Sequence, residues 1–475
     1  MNSIISKRIM LAAPSSQSGK TVVTCALLQA LKGRGLNPIS FKVGPDYIDP
    51  MFHKKILGID SKNLDTYFSG EDGVKTILSD SIDRYAVIEG VMGLYDGTGV
   101  EGTAGSSYEV AAITKTPIVL VVDASGVGRT VISTIKGMLL DDEFQLIKGV
   151  ILNKMTEGFY TKLKPVLESE LSKMRGDVKV LGCFPKNPDI GIESRHLGLK
   201  LPSEIDDIKK KIDVAAAAFE KYIDMQGLLS IMDGAENVDI DCKHAEDLDE
   251  KSELTLAVAY DDAFCFYYKE NLELFEKSGV KIKYFSPLSD EKLPDECDGI
   301  LLGGGYPENY LAELSQNKSM LSSIRTAIDD GIPSLAECGG FMYLHNEITD
   351  PNGDSYKMVG SIDGHCFYTG HLVRFGYMYI EGLNTSLSKE ENTESQDELV
   401  ESLVGMKGHE FHYYDSSSNG ENFVASKPNM DKKWNCVVSK NNGIWGFPHF
   451  YYNSNPEFIY VFIRRMKEVK NGEFK

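Results

Sequence analysis

The sequence predicts an α/β protein of two domains, each organised around a mainly parallel sheet. Three observations carry that expectation. Short apolar runs alternate with helix-patterned stretches along most of the chain. Glycine-rich turns follow several of the runs, as at Gly90–Gly97 and Gly303–Gly305. An acidic stretch poor in large apolar residues, Asn237 to Glu253, interrupts the pattern and reads as a linker. The expected boundaries are 1–235 for the first domain, 236–253 for the linker and 254–470 for the second. A chain of 475 residues is long enough for this division.

Arg8 to Ala13 reads as a buried first strand. The small-residue loop Pro14-Ser15-Ser16-Gln17-Ser18-Gly19 follows, then Lys20-Thr21 and a helix pattern from Val22 to Leu31. Strand, loop, Gly-Lys-Thr and helix form a phosphate-binding P-loop, with Pro14 in place of the usual first glycine. Backbone N–H groups of Ser15 to Gly19 and the helix N-terminus favour anionic oxygens. Lys20 is expected to reach the outer phosphates of ATP, and the Thr21 hydroxyl to hold Mg²⁺. A chance GKT ahead of an ordinary helix is the plainer alternative.

The next strand, Pro38–Val43, ends in Gly44-Pro45-Asp46-Tyr47-Ile48-Asp49-Pro50. Loops at the carboxyl ends of parallel strands carry the chemistry of such folds. Asp46 and Asp49 are therefore candidates for Mg²⁺ coordination or substrate positioning; alternatively they cap a turn. A strand at Tyr85–Ile88 leads to Glu89, where a second Mg²⁺ contact is expected. Pro117–Asp123 is a further buried strand and Thr130–Leu140 a helix. Lys148–Lys154 is a strand ending on Asn153, from which many P-loop folds contact adenine; a loop asparagine is the alternative. After the strand Val178–Phe184, Arg195 and His196 are cations placed to meet a carboxylate-rich ligand or else water. A helix-like stretch, Ile205–Leu229, closes this half.

Composition narrows the function. A net charge of −20 argues against a nucleic-acid binder. No apolar run has the length of a membrane helix, and the first strand leads straight into a functional loop without a signal peptide. The eight cysteines are scattered with no C-x-x-C pair. Reduced thiols in a soluble, cytoplasmic protein are the expectation.

The second half opens with a strand at Leu254–Tyr260 and another at Lys281–Phe285. Gly299–Gly305 is a strand ending in a triple glycine whose N–H groups suit an oxyanion. In Ile332-Pro333-Ser334-Leu335-Ala336-Glu337-Cys338-Gly339-Gly340, Cys338 sits between a strand and a helix. That is the pattern of a nucleophile elbow, in which the helix N-terminus is expected to favour thiolate; a buried core cysteine is the alternative. A cysteine nucleophile needs a base. His449, late in the chain, is the candidate, with His409 and His412 competing; His345 is expected to point away from Cys338.

Several stretches, in this order and spacing, resemble one family: FKVGPDYIDPMFH (41–53), EGVMGLYDG (89–97), RHLGL (195–199), AYDDAFCFYYKENLELF (259–275), FSPLSDEKLP (285–294), LLGGGYPE (301–308), AECGGFMYL (336–344) and SNPEF (454–458). The family is the cobyrinic acid a,c-diamide synthases of cobalamin biosynthesis. The resemblance implies a P-loop synthetase related to dethiobiotin synthetase, followed by a class I-type glutamine amidotransferase. It implies Cys338 as glutaminase nucleophile and His449 as the histidine that activates it. Tyr451 stands where the family often has a second histidine and where H-x-E amidotransferases have their Glu, so the orienting third group is unassigned.

The same resemblance implies ATP-driven conversion of corrinoid acetate carboxylates to acyl phosphates, using Lys20, Thr21-bound Mg²⁺ and Asp46 or Glu89. Ammonia from glutamine, released with oxyanion donors near Gly304, Gly305 and Gly339, completes two amidations. Lys42, Asp49, Lys54, Arg195 and His196 are expected to meet the polycarboxylate. The implied partners are cobyrinic acid, L-glutamine and ATP, with no nucleic acid, no membrane, and a homodimer as an open expectation. Three rivals remain at this level: a sister amidase acting on hydrogenobyrinic acid or nickel sirohydrochlorin; a nucleotide switch of the partitioning or septum-site type, whose C-terminal stretch Ile459–Lys475 is a basic membrane-binding helix; and a binding protein with an inactive amidotransferase domain.

Overall fold

The computed structural model describes residues 2–4, 6–187, 190, 194–195, 198–199, 208–240, 253–384 and 397–473. It divides into two compact units, Met1–Lys243 and His244–Lys475.

The first unit is built on seven parallel strands: β1 (Lys7–Ala12), β2 (Pro38–Val43), β3 (Ser61–Leu64), β4 (Tyr85–Glu89), β5 (Ile118–Asp123), β6 (Ile147–Asn153) and β7 (Lys179–Phe184). Their order is β3-β2-β4-β1-β5-β6-β7. Residues Ile9 to Leu11 have no exposed surface, as expected of a strand covered on both faces. Chain order changes direction around β1, so the loops after β1, β2 and β4 open beside one another at the carboxyl edge. Helix α1 (Lys20–Gly33) follows the first of these loops.

Three features depart from expectation. β3, with the sequence SKNL, is buried although three of its residues are polar; the Lys62 ammonium reaches Asp80 at 2.6 Å. Its polarity hid it from a reading based on apolar runs. The stretch after Ile208 is two helices, α2 (Ile208–Tyr222) and Met225–Asp233, because the Asp224 carboxylate accepts the Gly227 N–H and starts a new helix. Residues 201–207 lie outside the described residues. Val238–Ile240 is a strand paired antiparallel with Asn2–Ile4, not linker. Val238 and Ile240 are buried and Asp239 is exposed, a period-two pattern that the acidic average concealed. Residues 241–252 lie outside the described residues.

The second unit has a six-stranded sheet from β8 (Thr255–Ala259), β10 (Lys281–Phe285), β11 (Gly299–Leu302), β13 (Ser334–Glu337), β18 (Val438–Lys440) and β19 (Gly443–Gly446), in the order β10-β8-β11-β13-β19-β18. Only the β18–β19 pair is antiparallel. A short pair, β9 (Phe264–Phe266) and β12 (Gly304–Gly305), lies apart from it. A five-stranded antiparallel sheet joins β14 (Arg374–Leu383), β15 (Lys407–His412), β16 (Phe423–Ser426), β17 (Lys433–Cys436) and β20 (His449–Phe450). Its strands mix partly exposed residues with buried ones, many of them polar, a weaker signal than a continuous apolar run. Helix α3 (Gly339–Tyr343) follows β13, and α4 (Pro456–Lys470) closes the unit. Helix α4 buries Phe458, Ile459, Phe462 and Met466 in the core, and its Arg465 guanidinium bonds Asp397 and Asn442. Its apolar face is thus covered by protein, which removes the reading of a membrane-binding helix. No helix of the described residues is long and apolar enough to cross a membrane.

Candidate active sites

In the first unit the loop after β1 turns into α1 through Gly19, at φ +83°. A Cβ there would lie 2.4 Å from the Asn153 amide nitrogen. Glycine is needed twice, for the left-handed backbone and for the close approach. Asn153 itself donates to the Ser18 carbonyl at 2.7 Å and braces the loop. That bond uses one of the two N–H groups of its amide, so bracing the loop and the expected adenine contact are compatible. The Lys20 ammonium donates to the carbonyls of Met92 at 2.5 Å and Ser15 at 3.4 Å. Burial, then the charge of Lys42, lowers its pKa to about 8. Held by carbonyls and not by a carboxylate, Lys20 keeps its charge available to an anion.

Lys42 behaves differently. Its ammonium lies 2.5 Å from Asp49 and 2.8 Å from Glu89, with Asp46 at 4.0 Å, and it is almost fully buried. Lys42 and Asp49 were expected to meet a polycarboxylate substrate. Here they pair with each other inside the site, and Lys42 also pairs with Glu89. Asp46 accepts the N–H groups of Ile48 and Asp49 through Oδ1, capping the turn. Burial, then the Asp49 charge, raises its pKa to about 6.

Glu89 accepts the Thr21 hydroxyl at 2.6 Å through Oε1, while its Oε2 is buried with no hydrogen-bond partner. A hydroxyl beside an anionic oxygen with an unfilled lone pair suits Mg²⁺, which takes few protein oxygens and completes its shell with phosphate and water. Thr21 and Glu89 thus fit the metal better than Asp46, whose Oδ1 is committed to the turn. On the surface, Lys54 pairs with Asp60 at 2.6 Å. Arg195 belongs to a two-residue strand paired with Gly198–Leu199, and His196 lies outside the described residues. The carbonyl of Met92 was missed by sequence reading; the glycines on its N-terminal side and directly after it were the signal for its special backbone, at φ +45°.

In the second unit Cys338 links β13 to α3 at φ +46°, ψ −102°, a conformation rare for a residue with a side chain. It is over-determined by two backbone bonds, Cys338 N–H to the Gly446 carbonyl at 2.8 Å and Gly340 N–H to the Gly303 carbonyl at 3.0 Å. Burial opposes the thiolate expected from the helix N-terminus. Burial raises the thiol pKa, and the charges of Glu308 and Glu410 add to it, while α3 spans only five residues. The thiol needs a base that acts during the reaction.

His449, the candidate base, lies on β20. A Cβ on Gly304 would lie 2.2 Å from its Cε1, so the imidazole rests directly on the glycine backbone. Its other face stacks on His409, with ring centroids 5.0 Å apart at 18°. Burial holds its pKa well below the usual value, with His409 and His412 contributing, so the ring is neutral and able to take a proton. The competing histidines have other work. His409 Nδ1 meets the Tyr268 hydroxyl at 3.2 Å. His412 Nε2 meets Glu410 at 2.9 Å, and its ring stacks on Phe447. His345 meets the Phe341 carbonyl and the Ser416 hydroxyl.

Gly339 packs against Gly305: a Cβ on Gly339 would be 3.2 Å from Gly305 N. They remain the oxyanion candidates, while Gly304 supports the imidazole. Gly304→Ala is expected to push the ring off its seat and lower glutamine hydrolysis about a hundredfold, with little change in ATP binding. Steady-state glutamate release and nucleotide titration check this.

Glu337, next to Cys338, had no assigned role in the sequence reading. Its Oε1 accepts the Tyr452 hydroxyl at 2.6 Å, and its Oε2 lies 4.0 Å from His449 Nδ1. Burial pushes its carboxyl up to about 8, opposed by the Tyr452 hydroxyl and the Phe450 N–H. An imidazolium beside it favours the carboxylate, so its ionisation is coupled to protonation of His449.

Comparison with known proteins adds to this geometry. A family model described as the CobQ/CobB/MinD/ParA nucleotide binding domain matches residues 9–199, and one described as the CobB/CobQ-like glutamine amidotransferase domain matches residues 255–455. The chain is 38% identical to the cobyrinate a,c-diamide synthase of Clostridium tetani, over 97% of this chain and 100% of that protein. It is 37% identical to the protein of that name from Clostridium acetobutylicum, over 96% and 100%. It is 37% identical to that of Picrophilus torridus, over 97% and 99%.

Proposed function

The chain belongs to the cobyrinate a,c-diamide synthase family, and we propose from that premise that it amidates the a and c acetate carboxylates of cobyrinic acid with ATP and glutamine. The observation that carries the reading is the presence, in one chain, of a P-loop with an available lysine and a strained cysteine elbow, with a buried histidine packed on Gly304 in the same unit.

The chemistry divides between the units. A carboxylate is a poor acceptor for ammonia, so in the first unit it attacks the γ-phosphorus of ATP, releasing ADP and giving an acyl phosphate. Lys20 and the N–H groups of Ser15 to Gly19 meet the phosphate oxygens. Bound Mg²⁺, held by Thr21 and Glu89, would neutralise charge on the transferring phosphoryl group. In the second unit His449 takes the Cys338 proton as the sulfur attacks the glutamine amide carbon. Gly305 and Gly339 N–H groups meet the oxyanion, His449 returns the proton to the departing ammonia, and water releases glutamate. Ammonia must then reach the acyl phosphate unprotonated, displacing phosphate to leave the amide. Each product carries two amides and consumes two ATP and two glutamines. The free state of the seven described cysteines agrees with a cytoplasmic setting for these co-substrates.

The test is mass spectrometry of cobyrinic acid incubated with enzyme, ATP, Mg²⁺ and glutamine. Conversion of two carboxyls to amides is expected. No amidation, with glutamine hydrolysed and ATP untouched, would overturn the proposal; conversion of hydrogenobyrinic acid in preference would reassign the substrate.

A further inference from the structure

The second unit leaves one functional position open. A histidine that must accept a thiol proton at Nε2 has to carry its own proton on Nδ1, and some group must hold it there. The residue two places after His449 is Tyr451, whose ring packs edge-on against Tyr268 and which brings no carboxylate. The buried carboxylate on the neighbouring strand is Glu410. It is committed to His412 Nε2 at 2.9 Å, to the Trp434 indole N–H at 3.0 Å and to Arg374 at 3.7 Å. The stacked His409 meets Tyr268 through Nδ1.

Glu337 is placed otherwise. It ends β13, is 6% exposed, and points one carboxyl oxygen at His449 Nδ1 from 4.0 Å. Its other oxygen is gripped by Tyr452, three residues beyond His449. We infer that Glu337 is the positioning residue for His449, accepting the Nδ1–H through Oε2 so that Nε2 faces the Cys338 thiol as a base. The same strand end thus fixes both partners: Glu337 orients the imidazole, and the next residue in the chain is the nucleophile. At 4.0 Å the two atoms are outside hydrogen-bond distance, and catalytic contacts of this kind tighten when substrate is bound. No proton leaves the pair. The S–H bond breaks, the Nε2–H bond forms, and the Nδ1–H bond persists while the imidazolium forms against the carboxyl. A glutaminase of this order therefore takes its third group from the residue before the cysteine, not from beyond the histidine.

The inference rests on Cys338 and His449 being the glutaminase pair, so wild type and Cys338→Ala are measured beside the Glu337 variants in the full chain. Glu337→Gln is expected to lower kcat for glutamate release about a hundredfold or more with KM for glutamine nearly unchanged, because an amide can donate to Nδ1 and fix the wrong tautomer. Glu337→Asp, which keeps the acceptor, recovers part of the loss. Nitrogen-15 spectra of His449 should show the Nδ1–H tautomer in wild type and a shift toward Nε2–H in Glu337→Gln. Ammonia-driven amidation by the variants serves as the check of folding. Wild-type kcat in Glu337→Gln, or a loss with the tautomer unmoved, overturns the role of Glu337. If Cys338→Ala hydrolyses glutamine as wild type does, it is the assignment of the pair that fails.

Discussion

Cys338→Ala should abolish glutamine-dependent amidation, by about 10⁴-fold or more, and leave amidation driven by free ammonia at the wild-type rate. Removal of a covalent nucleophile costs rate on that scale, because no neighbouring group replaces the sulfur. The second half of the prediction carries the information. Cys338 lies in His244–Lys475 and the P-loop in Met1–Lys243, so each unit's chemistry can be lost alone. The substitution removes a strained side chain from a buried elbow and leaves alanine on the same φ +46° backbone, so a modest change in stability is expected. The assay is amide formation with glutamine and, separately, with ammonium at a pH where free ammonia is present. Loss of both activities in a folded variant would contradict the division of labour.

Lys20→Ala has the opposite signature: both nitrogen sources fail together, with a fall of about 10² to 10³ in kcat, because activation of the carboxylate precedes either. It is a cleaner substitution than Glu89→Gln. Glu89 neutralises Lys42 at 2.8 Å in a buried cluster, and removing its charge leaves a buried ammonium under-compensated, a destabilisation of about 3 kcal/mol. Lys20 has no such duty. Its pKa is lowered to about 8, so the folded state disfavours the proton. The penalty is in full force below pH 8 and fades as pH rises toward 10.5, the ordinary value for lysine, where the unfolded chain also loses the proton. Lys20→Ala should therefore melt at or above the wild-type temperature at neutral pH while losing activity. A variant that melts early would show instead that Lys20 stabilises the loop.

The parts of the fold that could be read from sequence are those where burial is continuous. Strands such as Ile118–Asp123 and Gly299–Leu302 are buried on both faces, and their uninterrupted apolar runs leave little alternative. Ser61–Leu64 and the antiparallel sheet from Arg374 to Phe450 were not legible. The first is polar yet buried through an ion pair, and the second joins strands whose partners are far apart in sequence. The same division holds for the sites. Gly19, Lys20 and Cys338 sit in contiguous motifs, where a loop's shape is written in neighbouring residues. The pairing of Lys42 with Asp49 and Glu89, the use of Asn153 to brace Ser18, and the approach of Glu337 to His449 depend on strand order. Glu337 still left a trace: a carboxylate at the end of the apolar strand Leu335-Ala336 is unusual enough to require a partner.

The central claim is that one chain takes nitrogen from glutamine at Cys338 and delivers it to a carboxylate activated by ATP. The most direct measurement is the mass of the corrinoid formed from cobyrinic acid, ATP and glutamine labelled with nitrogen-15 at the side-chain amide. A diamide carrying the heavy isotope at both new positions is the predicted product. An unlabelled amide, or unchanged substrate beside hydrolysed glutamine, would contradict it.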